Sequence, residues 1–334
     1  MKTKIIAELA QAHDGSVGRV YAFIDALKEQ GVDAIKFQTH IAQFESSREE
    51  PWRIKFSYED EDRFSYWKRM EFSKEQWISF KQYVEENGME FISSPFSVEA
   101  AQLLGEIGTS VWKIASGELQ NFPMIDYICR RNELIYVSTG MSNWTEIDNV
   151  VNYLKERNAN FVLMQATTQY PAHLECVGVN VLNEMRARYG GVPLGYSDHS
   201  GTIYPSLIAT YMGVEAIEVH ACMDKRDFGP DTKASLTINE IGDLVKGVRA
   251  VECMLNNPVD KDKMAEDLSE LKIMFGKSIY AKRAIKAGQI ITQDDIGLRK
   301  PAIALPSKDY YTIVGKRATR NIEAFTFLTN EEIE

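Results

Sequence analysis

Short apolar runs alternate with amphipathic stretches from the first residues to about residue 255. Runs at 4–8, 34–38, 90–94, 111–116, 135–139, 161–167, 192–198 and 216–221 predict eight strands. Helical spacing of apolar positions predicts helices near 17–30, 74–87, 97–107, 122–131, 144–157, 178–188, 203–213 and 237–254. Asn143-Trp144-Thr145-Glu146 and Thr237-Ile238-Asn239-Glu240 predict helix starts, because early carboxylates suit the positive helix N-terminus. Eight strand–helix units predict an α/β fold, a (β/α)8 TIM barrel over 1–255. A doubly wound open sheet is the alternative, and the even spacing favours closure.

Two segments break the alternation. The longest connection, 41–73, is rich in charge and in aromatics, among them Trp52, Phe56, Tyr58, Phe64, Tyr66 and Trp67, with Arg53 beside the first. Connections of that length are usually lids, interfaces or disorder, and the aromatic content argues for a lid or a subunit contact. Past residue 255, the charged turn Asn256–Lys263 predicts a linker over 256–277. From Ser278, short strands broken by Gly288 predict a small β-rich domain over 278–334. A unit of that size is marginal alone and is expected to dock on its own barrel or a partner's.

In a TIM barrel the reacting groups come from the C-terminal ends of the strands. Those ends read here as Glu8, Lys36 with Gln38, Ser93 with Ser94, Lys113 with Ser116, Ser138, Thr167 with Thr168, Ser197 with His199, and His220. The chain holds five histidines, so His199 and His220 on adjacent strand ends stand out. With Asp231 in the turn Gly229-Pro230-Asp231, they suggest an open divalent-metal site; the bland alternative is a pair of hydrogen-bonded core histidines. Lys36 and Lys113 lie inside apolar strands, where a cation is costly without an anion. Either they bridge to Glu8 or Glu118, or they grip a phosphate or carboxylate with Ser116 and Ser138 as neutral donors. Glu8 reads as a partner for a lysine, as a proton-handling carboxylate, or as both. His13 and His40, just past strand ends, read as supporting or substrate contacts, and His173 as a solvated loop residue.

Composition narrows the classes. A formal charge of −10 argues against nucleic acid, which needs clustered Lys and Arg. No apolar run reaches membrane-span length, and Glu8 interrupts the N-terminal apolar run that a signal peptide would need. Cys129, Cys176, Cys222 and Cys253 lack CxxC spacing and read as reduced thiols of a cytoplasmic protein. No P-loop and no GxGxxG follows a strand, and no nucleophile accompanies Asp198-His199 as a hydrolytic triad would require.

The chain resembles the sialic acid (nonulosonic acid) synthases nearly end to end. The likeness rests on Ala7-Glu8 with His13-Asp14-Gly15, Lys36-Phe37-Gln38-Thr39, Phe91-Ile92-Ser93-Ser94-Pro95-Phe96, Lys113-Ile114-Ala115-Ser116-Gly117-Glu118, Ser138-Thr139-Gly140-Met141, Tyr170-Pro171, Ser197-Asp198-His199, His220 and Gly229-Pro230-Asp231. The tail resembles the antifreeze-like (SAF) domain of that family.

The resemblance implies a metal-dependent condensation of phosphoenolpyruvate with an open-chain N-acetylmannosamine-type aldehyde, giving a nine-carbon 2-keto sugar acid and phosphate by C–O cleavage. It implies His199 and His220 as ligands of a divalent metal, typically Mn2+ with Mg2+ or Co2+ as alternatives, and Glu118 as a support through water. It implies Glu8, Lys36, Lys113 and Asp231 as catalytic, and Gln38, Ser94, Ser116, Ser138, Tyr170, Ser197 and Lys300 as substrate-binding. It also implies a domain-swapped homodimer. Three departures touch sugar choice. Ala12 stands where family members that use N-acetylmannosamine carry Asn, Gln165-Ala166 replaces His-Cys, and Lys300 occupies an Arg position. Legionaminic-, pseudaminic- or KDN-type products are therefore open, as is a 3-deoxy sugar-phosphate synthase.

Overall fold

A computed structural model describes residues 2–334, in two compact units, Met1–Asn256 and Asn257–Glu334. In the first, eight parallel strands follow in chain order: β1 (Lys4–Glu8), β2 (Ala34–Thr39), β3 (Glu90–Pro95), β4 (Val111–Ile114), β5 (Leu134–Ser138), β6 (Asn160–Ala166), β7 (Leu194–Asp198) and β8 (Ala216–Cys222). Each pairs with the next, and β8 pairs with β1, with Lys4 opposite Ala216. Closure decides for the TIM barrel over the open sheet.

Alternation along each strand sorts side chains into two cores. Ile217, Val219 and Ala221 of β8 and Trp112 and Ile114 of β4 face outward into the layer shared with the helices. The opposite parity points inward. At the base, Ile6, Ala34, Ile92, Val111, Tyr136, Val162, Met164 and Ala216 pack as an apolar plug. The polar residues therefore collect above this plug.

Both helix starts expected from sequence are capping boxes. Asn143 Oδ1 accepts from Glu146 N while Glu146 Oε2 accepts from Asn143 N, opening Trp144–Glu156. Thr237 and Glu240 make the same reciprocal pair at Ile238–Asn256. The 41–73 segment contains two helices, Ala42–Glu45 and Arg63–Met70, and a small core of Ala42, Tyr66, Trp67 and Met70 with Trp52, Phe56 and Phe64 packed on it.

The second unit opens with two short helices, Lys261–Asp267 and Ser269–Phe275, across the stretch expected as a linker. Ser278–Ala281 then pairs antiparallel with Ile296–Arg299, not with the neighbouring 289–291 run, and its core holds Ile279, Ile285, Ile291, Ile296 and Leu328. No helix among the described residues is long and apolar enough to cross a membrane.

Candidate active site

Strand register assembles the site. Glu8 lies opposite Lys36 on one side and His220 on the other. Ser197 lies opposite Glu218. Because side chains alternate, Glu218 and His220 share the inward face of β8, as Lys36 and Gln38 share that of β2. Glu8, Lys36, Lys113 and Glu218 thus meet directly above the apolar plug, and all four are at least 97% buried.

These four charges balance. Glu218 accepts from Lys113 Nζ with both oxygens, at 2.8 and 2.7 Å, and from Ser197 Oγ at 2.9 Å. Lys36 Nζ bonds Glu8 Oε1 and lies 3.6 Å from Glu218 Oε1. Burial by itself would raise the Glu8 pKa, but His220, Lys36 and Lys113 hold it well below the usual carboxylate range. Burial would lower Lys36, but Glu218 and Glu8 raise it. Lys113 ends up lowered, because burial and the Lys36 charge outweigh its carboxylate partners.

The rim above carries the neutral groups. His199 Nδ1 contacts the Thr167 carbonyl at 3.0 Å and so carries the proton, which leaves Nε2 as the lone pair, 3.2 Å from Tyr170 Oη. Burial, with the His220 charge, pushes His199 down to about 3, so its ring is neutral near pH 7. The His199 and His220 ring centroids are 5.2 Å apart, and His220 Nε2 is 3.2 Å from Glu8 Oε2. Gln38 Nε2 donates to Glu8 Oε1 at 2.8 Å. Ser116 Oγ accepts from Gly140 N at 3.1 Å. Ser138 Oγ and Thr168 Oγ1 are buried without any hydrogen-bond partner. A Cβ on Gly140 would collide with Thr168 Oγ1 and Ser116 Oγ, so glycine keeps this hydroxyl cradle open. All these groups line one cavity of about 360 Å³, a volume suited to small metabolites.

A NeuB family model matches residues 23–260, and a SAF domain model matches 276–334. The chain belongs to the NeuB family. It is 31% identical over 326 residues to the N,N'-diacetyllegionaminic acid synthase of Campylobacter jejuni, covering 96% of this chain and 97% of that one. It is 31% identical over 335 residues to human N-acetylneuraminate-9-phosphate synthase, covering 99% and 92%. The crystal structure of the Bacillus subtilis spore coat polysaccharide biosynthesis protein spsE superposes with a TM-score of 0.66 at 27% identity, covering 100% of this chain and 95% of that one. This NeuB chain is accordingly an enzyme of the nonulosonic acid synthase family, the family of the sialic, legionaminic and pseudaminic acid synthases.

Of the residues singled out from sequence, Glu8, Lys36, Gln38, Lys113, Ser116, Glu118, Ser138, Tyr170, Ser197, His199, His220 and Asp231 all line the NeuB cavity. Ser94 does not; it is fully buried, with its hydroxyl 3.4 Å from Lys36 Nζ. Lys300 belongs to the second unit, over the Phe275 ring. The lysine partner expected at Glu118 is instead Glu218, while Glu118 accepts from Asn121 Nδ2 at 2.7 Å and burial raises its pKa. His40 does line the cavity, stacked between Trp67 and Phe96 with Nδ1 on Glu45. His13 does not. It packs on Phe72 and accepts from Gly15 N, so it holds its loop. Ala12 and Gln165 are also off the cavity wall.

Glu218 is the buried charged wall residue that the strand-end reading does not name, and Thr168 is named only as a strand end with no role attached. Glu218 had a readable signal, since it shares parity with His220 in Ala216-Ile217-Glu218-Val219-His220.

The donor set fits a divalent cation in part. His199 offers a neutral nitrogen lone pair beside the His220 ring and an anionic Glu8, which is the chemistry such a cation needs. No group of three His, Cys, Asp or Glu side chains among the described residues forms a ready-made cage. A cation held here by His199 and His220 would keep positions open for water or substrate.

Proposed function

We propose that this enzyme condenses phosphoenolpyruvate with an open-chain, N-acylated amino-sugar aldehyde, releasing phosphate and forming a nine-carbon 2-keto sugar acid. The observation that carries this reading is the pairing of two buried lysines with buried, unpartnered hydroxyls in one cavity. Such an arrangement suits a strongly hydrogen-bonding anion. Lys36 and Lys113 would hold the anion's charge, and Ser116, Ser138, Thr168 and Ser197 its oxygens. Carbon 3 of phosphoenolpyruvate bonds to the aldehyde carbon, water adds at carbon 2, and the tetrahedral centre expels phosphate by C–O cleavage. Glu8, between Lys36, Gln38 and His220, would order that water and handle its proton. A divalent metal, Mn2+ first, would sit on His199 and His220 and polarise the aldehyde as a Lewis acid.

Cavity charge supports an unphosphorylated sugar. Arg53 and Arg63 are the other cations on its wall, and they are paired with Asp231 and Glu50. Both face a carboxylate that would repel the second phosphate of a 3-deoxy sugar-phosphate synthase. The test is phosphate release from phosphoenolpyruvate with manganese across free hexoses, N-acetylmannosamine and diacetamido hexoses. Turnover is expected with at least one, and none with any unphosphorylated sugar would refute the reading. His199→Ala should lower manganese affinity by about 10²-fold or more in calorimetry and abolish turnover, while near-ultraviolet dichroism stays native. Undiminished metal binding would remove His199 from the metal.

The same reading takes the enzyme as a cytoplasmic homodimer. Reduced Cys129, Cys176 and Cys222 support the compartment. The exposed Ile290, Leu298, Ile303 and Phe325 of the second unit support the dimer, since a monomer would leave them in water. Light scattering should give twice the chain mass, and a monomer mass at micromolar concentration would refute the dimer.

A further inference from the structure

One buried polar chain beside the reacting groups has no part in the proposed chemistry. His40 follows β2, and its ring sits between those of Trp67 and Phe96, with centroids 4.1 and 4.5 Å away. Both faces are covered, so only its two nitrogens can act. Nδ1 lies 2.7 Å from Glu45 Oε1, and the other Glu45 oxygen accepts from Ile41 N at 3.3 Å. Nε2 lies 3.0 Å from Gln11 Nε2 and 3.1 Å from Gln38 Oε1. Gln11 Nε2 also donates to Gln38 Oε1, and Gln38 Nε2 donates to Glu8 Oε1 at 2.8 Å. His40, Gln11 and the Glu45 side chain are all buried.

The two carboxylates at the ends set the direction of every bond. A carboxylate only accepts, so Glu8 takes an N–H from Gln38, and Glu45 takes one from His40 Nδ1. That leaves a lone pair on His40 Nε2 and makes Gln38 Oε1 an acceptor. Gln11 Nε2, with two hydrogens, serves both. A primary amide has two orientations of nearly the same shape, and a sugar hydroxyl, donor and acceptor at once, could favour either. Here one is closed. Turning Gln38 over would set its carbonyl against Glu8 and its NH2 against that of Gln11, leaving buried groups unsatisfied. Gln38 therefore shows N–H to the cavity. One hydrogen is on Glu8, and the second has no acceptor among the described residues.

We propose that His40, its proton placed by Glu45, fixes Gln38 through Gln11 as a hydrogen-bond donor toward Glu8 and the incoming sugar. His40, Gln11 and Glu45 are positioning residues in this scheme. Glu45 ends the helix Ala42–Glu45, so the start of the 41–73 segment is tied to the reacting groups. The inference deepens the proposed function and rests on it for the identity of the substrates.

A double-mutant cycle with Gln38 is the decisive measurement, because a residue that acts through Gln38 loses its effect once Gln38 is gone. His40→Phe keeps the ring stack and removes both nitrogens. Gln11→Met keeps the length and removes the amide, and provides a second route should His40→Phe not fold. In the full-length enzyme with manganese, each should lower kcat/KM for the sugar about tenfold or more, with the KM for phosphoenolpyruvate within about threefold. In a Gln38→Met background the same substitutions should cost less than about twofold. Glu45→Gln, whose carbonyl can still accept from Nδ1, should keep most of the activity that Glu45→Ala loses. Losses that multiply in full in the double variants, or wild-type kcat/KM in both His40→Phe and Gln11→Met, would overturn the proposal. Nitrogen-15 glutamine labelling reads the same orientation without turnover. The Gln38 side-chain amide resonance, identified by its loss in Gln38→Met, should move or broaden in His40→Phe and in Gln11→Met, and no change in either would also overturn it. An enzyme that shows these spectral changes yet releases no phosphate would refute the condensation and leave the positioning of Gln38 standing.

Discussion

Glu218→Ala is expected to destabilise the barrel by about 3–5 kcal/mol, the range for stripping one partner from a buried ion pair. Glu218 takes both hydrogen bonds of Lys113 and one from Ser197, and it lies within ion-pair range of Lys36. Without it, Lys113 keeps a buried ammonium with the Met164 sulfur at 3.4 Å as its remaining partner. Burial already disfavours that charge. The lysine must then shed its proton or draw water into the barrel. Lys113→Met should be similarly costly, because it leaves Glu218 unpaired by its closest cation. The double variant should cost less than the sum of the two, by a coupling of about 1–3 kcal/mol, since neither charge is then stranded. Urea unfolding followed by tryptophan fluorescence reads this directly: all five tryptophans lie within Met1–Asn256. A loss under about 1 kcal/mol for Glu218→Ala would mean that the pair behaves as a solvated one.

Glu8→Gln should act on rate. Glutamine preserves shape and can still meet Gln38 and His220, and Lys36 retains Glu218 at 3.6 Å. The fold should therefore lose much less than with Glu218→Ala. On the proposed mechanism, what disappears is the anion that would take a proton from water at the reacting carbon. Removing such a group typically costs about 10²–10⁴-fold. The expected signature is a fall in kcat of that size with the KM for phosphoenolpyruvate changed by less than about threefold. A kcat within about threefold of wild type would show that Glu8 only neutralises Lys36.

The sequence made most of the site legible because strand ends are easy to locate. Each run from Ile5 to His220 was short, apolar and bounded, and in a closed barrel the residue that ends a strand must sit on one rim. Glu8, Lys36, Lys113, His199 and His220 followed from that rule. Glu218 does not follow from that rule, because it lies two positions before His220 on the same face of β8 and not at the strand's end. His13, read as a supporting or a substrate contact because it follows β1, is off the cavity wall, since the turn folds its ring back onto Phe72. Ser94 lies near the end of β3 as well, yet it is buried against Lys36 and off the cavity wall.

By itself the sequence determined the barrel, its eight strands, the polar rim and the family likeness, because periodicity and strand-end chemistry are local properties of the chain. Only the tertiary structure decided which charges neutralise one another. Pairing Lys113 with Glu218 rather than Glu118 depends on β4 and β8 facing each other across a closed barrel, a relation between residues far apart in the chain. The same holds for Arg53. Its contact with Asp231 and Tyr170 arises where the 41–73 segment meets the loops after β6 and β8, and no spacing along the chain encodes that meeting.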